Sequence, residues 1–130
     1  MNKITIVLLA ILLIVTLSAC GAKRDADASG YQSISQEDAK KLMEDEKDYV
    51  ILDVRTKEEY DEVHIPGATL LPVDAVSEQA EEILPDKDQL ILVYCRSGNR
   101  SKRAAKQLAK LGYTKVKEFG GINTWKYETE

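Results

Sequence analysis

Histidine occurs once in this 130-residue chain, at His64, and cysteine only twice, at Cys20 and Cys95. The single imidazole is the one candidate for histidine general-base chemistry. Its setting, His64-Ile65-Pro66-Gly67-Ala68, favours a structural role in a turn, because Pro and Gly break regular structure there. Positive charge is also scarce: 18 Lys and Arg stand against 22 Asp and Glu, a formal net charge of −4. That balance argues against a nucleic-acid partner and against a polybasic grip on lipid headgroups. There is no internal repeat and no long biased tract outside the first twenty positions. With 44% hydrophobic and 31% charged residues, the composition suits one ordinary globular domain.

The apolar run that does occur, Ile4 to Leu17, is broken only by Thr5 and Thr16. It falls short of the roughly 20 residues a membrane-spanning helix needs, and Met1-Asn2-Lys3 supplies a positive leader, so a signal-peptide core is expected. Leu17-Ser18-Ala19-Cys20, followed by Gly21, resembles the lipobox of bacterial lipoproteins. By that resemblance residues 1–19 are a cleaved signal peptide and Cys20 is lipidated and becomes the mature N-terminus. The protein is then held by its lipid anchor on the extracytoplasmic face of the cell membrane. Cleavage removes one base, Lys3, and no acid. Residues 20–30, with the Ala-, Asp-, Gly- and Ser-rich stretch Gly21–Gly30, read as a flexible tether, and residues 31–130 as the folded domain. A lipidated Cys20 cannot form a disulfide. Cys95 is then a lone thiol in a disulfide-permissive compartment, which marks it as a reactive-site candidate.

Within the domain, strand-like and helix-like segments alternate. Ser35, with Asp38 three residues on, reads as the N-cap of a helix to about Glu44, and Tyr49–Leu52 as a strand buried on both faces. Thr56 and Glu59 form a capping box for a short helix through Tyr60. Leu70-Leu71 is a candidate strand, Val76 to Leu84 a helix stopped by Pro85, and Leu90–Tyr94 a second buried strand. A helix from Ser101 to Leu111 follows, with Ala104, Ala105, Leu108 and Leu111 on its apolar face and Gly112 stopping it. Val116–Phe119 is the last strand; Gly120-Gly121 is expected to turn the chain into a short terminal helix carrying Trp125. The pattern predicts an α/β fold, a parallel sheet with helices on both faces.

Chemistry concentrates at Cys95. It ends an apolar strand and heads the polar stretch Cys95-Arg96-Ser97-Gly98-Asn99-Arg100, directly before a helix. A strand end places the sulfur at the sheet's edge, loop N–H groups wrap it, and the positive end of the next helix faces it. A thiol with an unperturbed pKa of about 8.5 is only a few per cent ionised at neutral pH, so such a cradle is needed to make a nucleophile. Gly98 permits a positive φ in that loop. Arg96 and Arg100 are candidates for holding an anionic substrate through guanidinium geometry. Asp53 and Arg55 read as buried polar support for the neighbouring loop, and Trp125 as core packing.

Taken in order, these segments resemble a single-domain rhodanese across nearly all of residues 31–130. The matching strings are Asp53-Val54-Arg55, Glu59-Tyr60 with His64-Ile65-Pro66-Gly67-Ala68, Cys95 to Ser101, and Gly120-Gly121 with Trp125. Val63 stands where the family usually has Gly. The resemblance implies a three-layer rhodanese-like fold and sulfur transfer. Cys95 is the nucleophile that takes the outer sulfur of a thiosulfate-type donor as a persulfide and passes it to cyanide, a thiol or a protein acceptor. It implies that Arg96, Ser97, Gly98, Asn99 and Arg100 bind substrate, that Asp53, Arg55 and His64 support the site, and that neither a metal nor an organic cofactor is needed. Cysteine phosphatases and arsenate reductases of related fold carry Cys-x5-Arg loops. Here the arginine comes one residue sooner, at Arg100, which suits a single sulfur better than a phosphate. A non-catalytic binding module or sulfur carrier is the other alternative, and the presence of Cys95 weighs against a module with no chemistry.

Overall fold

The computed structural model describes residues 30–130. The expected signal peptide, lipidation site Cys20 and tether up to Ser29 lie outside the described residues. Five strands form one sheet: β1 (Gln32–Ser33), β2 (Tyr49–Asp53), β3 (Thr69–Leu70), β4 (Leu90–Cys95) and β5 (Lys115–Gly121). Their order is β1-β5-β4-β2-β3 and every pairing is parallel. Four helices connect them: α1 (Gln36–Asp45), α2 (Lys57–Glu62), α3 (Val76–Ile83) and α4 (Asn99–Lys110), with 3-10 turns at Val73–Ala75 and Ile122–Thr124. Among the described residues no helix is long and apolar enough to cross a membrane.

The continuous apolar runs of β2 and β4 are explained by burial on both faces of the sheet. Side chains alternate across it. Leu52, Ile91, Val93, Cys95 and Val116 point into a core closed by Val76 and Ala80 of α3 and Ala104, Ala105 and Leu108 of α4. Ile51, Leu92, Tyr94 and Phe119 point the other way, against Ala39, Leu42 and Met43 of α1 and against Ile65, Ala68 and Trp125. The two cores make three layers, as the alternation of segments predicts.

Local signals explain most boundaries. The Ser35 hydroxyl accepts the Asp38 N–H at 3.0 Å and starts α1, and Thr56 and Glu59 complete the expected capping box of α2. Several boundaries differ from the expectation. Helix α4 begins two residues earlier, at Asn99, because the left-handed turn at Gly98 (φ +109°) already ends the loop. Gly120 and Gly121 extend β5 instead of turning the chain, and the register slips between Val93 and Cys95. Trp125 does not sit within a helix but directly follows the 3-10 turn, packed on Phe119 with ring centroids 5.4 Å apart. The Val63 departure costs nothing in the backbone: at φ −162° and ψ 137° it is ordinary extended chain.

Candidate active site

Cys95 is the last residue of the central strand, 1% exposed, with its sulfur directed toward the start of α4. The Gly98 N–H donates to Sγ at 3.0 Å. Burial alone pushes the Cys95 thiol up. It is outweighed by the Ser101 hydroxyl and by the N–H groups of Ser101, Gly98 and Ser97, which together hold the thiol below its ordinary value. The sulfur thus sits in a cradle of backbone donors at the head of a twelve-residue helix, the arrangement that stabilises an anion without a metal. Among the described residues no group of His, Cys, Asp and Glu side chains is placed to share a metal ion.

The loop keeps its shape because it lies on β5. The Arg96 carbonyl accepts the Asn123 N–H at 3.2 Å. A Cβ added at Gly121 would fall 1.9 Å from that same oxygen, so only glycine allows the loop this close. Gly98 is buried, while Arg96, Ser97 and Asn99 are exposed around it. Arg96 also lines a neighbouring cleft of about 350 Å³ with Arg55, Glu59, Glu62, Val63 and Asn123.

Arg100 is placed differently from a free anion binder. Its guanidinium makes a two-pronged pair with Glu59 of α2, Nη1 to Oε1 at 2.7 Å and Nη2 to Oε2 at 3.0 Å. The hydrogen bond from Arg100 is the main reason the Glu59 carboxyl is held down at about 2. The pair straps α2 to α4 beside the sulfur, and Arg100 also contributes positive potential there.

Asp53 and Arg55 form a buried ion pair, with Arg55 Nη2 2.7 Å from Asp53 Oδ2. Arg55 Nη2 also donates to the Val63 carbonyl at 2.7 Å. Tyr94, whose phenol burial pushes up and keeps protonated, donates to Asp53 Oδ2 at 2.6 Å and accepts the Ile65 N–H at 3.1 Å. This chain of contacts fastens the Val63–Ile65 segment to the end of the sheet. His64 lies in that segment with its ring stacked on Tyr60 at 3.8 Å. Nδ1 lies 2.8 Å from the Tyr60 carbonyl and Nε2 3.2 Å from Glu130 Oε1, so both ring nitrogens are engaged away from the sulfur.

Three contributions escaped the reading of the sequence: the hydroxyl of Ser101, Glu59 as the partner of Arg100, and Tyr94. A fourth residue, Glu118, is a charged side chain 2% exposed on β5, in phase with the buried Val116. That phase was the one signal available for it, since a charge at an inward strand position requires a partner.

Comparison with known proteins bears on this geometry. The rhodanese-like domain profile matches residues 35–128. Over 111 residues the chain is 36% identical to the candidate sulfur carrier protein YrkF of Bacillus subtilis (strain 168), covering 85% of this chain but 59% of that protein. It is 37% identical over 97 residues to the thiosulfate sulfurtransferase GlpE of Coxiella burnetii (strain RSA 331 / Henzerling II), covering 74% of this chain and 88% of that one. Among solved structures, a rhodanese-related protein from Thermoplasma volcanium superposes with a TM-score of 0.67 at 31% identity, over 77% of this chain and 98% of that one.

Proposed function

This chain belongs to the rhodanese-like domain family, and from that premise we propose that it is a sulfurtransferase working through a persulfide on Cys95. The observation that carries the reading is the cradle itself: a buried sulfur that accepts the Gly98 N–H at 3.0 Å at the head of α4, its thiol held below the ordinary value by the loop around it. The Cys95 thiolate attacks the outer sulfur of a thiosulfate-type donor. A new S–S bond forms, the donor's S–S bond breaks, and its electron pair leaves with sulfite. The persulfide's outer sulfur takes up the negative charge at the mouth, where Arg96 is the exposed cation. A cyanide ion or a thiolate then attacks that outer sulfur and the Cys95 thiolate departs. No redox partner or cofactor enters either step.

The short loop supports sulfur over phosphate as cargo, because the cradle closes on Sγ after only Arg96 and Ser97. A sulfur-carrier role, in which the acceptor is another protein, uses the same persulfide, and the likeness to YrkF favours keeping it as the second reading. Thiosulfate added to the reduced, reductant-free protein should increase the mass of the Cys95 peptide by one sulfur atom. Thiocyanate should then appear with cyanide present, and Cys95→Ser should abolish both. A mass that never changes, or turnover that survives the substitution, defeats the proposal. Persulfide without turnover on cyanide or small thiols identifies the carrier.

The lipobox-like Leu17-Ser18-Ala19-Cys20 supports placing this activity outside the cytoplasmic membrane, on a lipid anchor. Cys20→Ala should release the protein from the membrane fraction. Retention without lipid labelling would count against lipidation.

A further inference from the structure

The bases of this acidic chain are not spread evenly. Between Cys95 and Leu111 stand Arg96, Arg100, Lys102, Arg103, Lys106 and Lys110 with no acid among them, so all 22 Asp and Glu lie elsewhere. Helix α4 buries Ser101, Ala104, Ala105 and Leu108 and leaves Asn99, Lys102, Arg103, Lys106 and Lys110 exposed. At about 100° of turn per residue those five positions share one side of the helix, an arc of about 100°. Arg100 is taken up by Glu59 and Arg103 by Asp74. Among the described residues Arg96, Lys102, Lys106 and Lys110 enter no ion pair. Such a stripe works against the helix that bears it. Lys102, Lys106 and Lys110 succeed one another at the i, i+4 spacing, where like charges repel. The first turn holds no acid, although that end of a helix favours one. An acidic partner laid on the stripe relieves both.

On the reading that Cys95 carries a persulfide, we propose that this stripe is the docking surface for an acidic protein bearing the acceptor thiol, laid along α4 with that thiol over Cys95. Continuity with the site supports it: α4 starts at Asn99, and the exposed Arg96, Ser97 and Asn99 join the sulfur's loop to the stripe. The twelve residues of α4 make a track about 18 Å long, room for about three turns of a partner helix. Complementary charge speeds encounter and fixes orientation more than it adds affinity, which suits a transfer that must end in release. The docked thiolate attacks the outer sulfur of the persulfide and a new S–S bond forms. The bond to the Cys95 sulfur breaks, its electron pair stays with Cys95 as thiolate, and the partner leaves as the persulfide.

The surroundings favour a narrow partner over a broad one. Helix α3 packs beside α4 and exposes Glu78, Glu81 and Glu82, and Asp74 is exposed next to Arg103. An anionic bilayer pressed on α4 would bring its phosphates against those carboxylates as well. A single acidic helix or strand fits along the stripe and avoids them.

The test uses the full chain in neutral detergent micelles and two synthetic helical peptides with one terminal cysteine each, identical except that Glu in one is Gln in the other. Sulfur transfer from the thiosulfate-loaded protein, read by mass spectrometry of the peptide, should run about tenfold faster to the Glu peptide at low salt. Raising salt to about 0.5 M should cut that preference to about twofold or less. Lys102→Glu, Lys106→Glu and Lys110→Glu together should do the same. Should the reversed charges unfold α4, Lys102→Gln, Lys106→Gln and Lys110→Gln together should leave an intermediate preference. Equal rates to both peptides, or a preference undiminished in a folded triple variant, overturn the proposal. Binding is read separately with Ser in place of the peptide's cysteine: the Glu peptide should slow acetylation of Lys102, Lys106 and Lys110, and the Gln peptide should not. That footprint needs no persulfide, so a chain that never loads sulfur defeats the sulfur-transfer reading while the stripe is still decided. Protection by phosphatidylglycerol vesicles, absent with phosphatidylcholine and with the Glu peptide, overturns the proposal in favour of a membrane.

Discussion

Gly121→Ala tests how tightly the last strand shapes the Cys95 loop. The backbone of Gly121, at φ −132° and ψ 152°, is extended and open to any residue, so alanine brings no strain of its own. The conflict lies with the loop: the new Cβ would sit 1.9 Å from the Arg96 oxygen, 2.3 Å from the Arg96 carbonyl carbon and 2.5 Å from the Ser97 nitrogen. Real Cβ atoms essentially never come within 3.0 Å of another heavy atom, and all three of these neighbours are main chain that cannot swing aside. Relief needs the loop to withdraw by about 1 Å, a displacement that at a reacting centre costs on the order of 100-fold in rate. The withdrawal carries off the donors aimed at Sγ, of which the Gly98 N–H is now 3.0 Å away. Losing one hydrogen bond to a charged sulfur costs about 1.5–3 kcal/mol, enough for the thiol to rise by about one to two pH units. The folded state should lose about 1–3 kcal/mol from the overpacking. Thiocyanate production from thiosulfate and cyanide, the alkylation profile of Cys95 and a thermal melt measure all three. A folded Gly121→Ala protein with undiminished turnover and an unmoved alkylation inflection would refute the claim that β5 sets the loop.

Two other substitutions separate support from chemistry. Glu59→Gln breaks the strap to Arg100 and, since both side chains are partly exposed, should destabilise the protein at pH 7 by about 1 kcal/mol. The Glu59 carboxyl is held at about 2 in the folded chain against an ordinary 4.5, so its contribution is complete above pH 4.5 and is lost as pH falls toward 2. Urea denaturation at stepped pH should therefore show the gap between the two proteins closing through that window; a constant gap would contradict the assignment. Tyr94→Phe strips one hydrogen bond from Asp53 and leaves the buried Ile65 N–H without an acceptor. It should lower the urea midpoint by the equivalent of about 2 kcal/mol at constant slope, and an unchanged midpoint would show that water or a rearranged loop replaces the phenol.

The sheet, the two core faces and the position of Cys95 at a strand end were legible because they are written in local pattern. The runs Tyr49–Leu52 and Leu90–Tyr94 are apolar without alternation, and Ser35 and Thr56 announce their helices. β1 was not legible: two residues carry no periodicity, and Gln32 and Ser33 become a strand only because β5 offers them an edge. The same limit applies at the site. Asp53 and Arg55 are neighbours in sequence and their pairing could be expected. Arg100 meets Glu59, Tyr94 meets Ile65, and Ser101 meets Glu118 only after the chain has folded back over long separations. The Gly120-Gly121 pair misled for a physical reason, since glycine is read as a turn where here its missing side chain serves a close approach.

The strand order bears on the timing of assembly. β4 lies between β2, which precedes it, and β5, which is made last of all, and β5 brings both the floor of the loop at Gly121 and the carboxylate at Glu118. Parallel pairing over such separations forms late, after its loop-closure entropy has been met. A chain still emerging during synthesis, or one refolding with β5 undocked, lacks that floor, and its Cys95 loop is held by β4 and α4 alone. The alkylation rate of Cys95 should therefore change as β5 docks, which makes it a clock for the completion of folding.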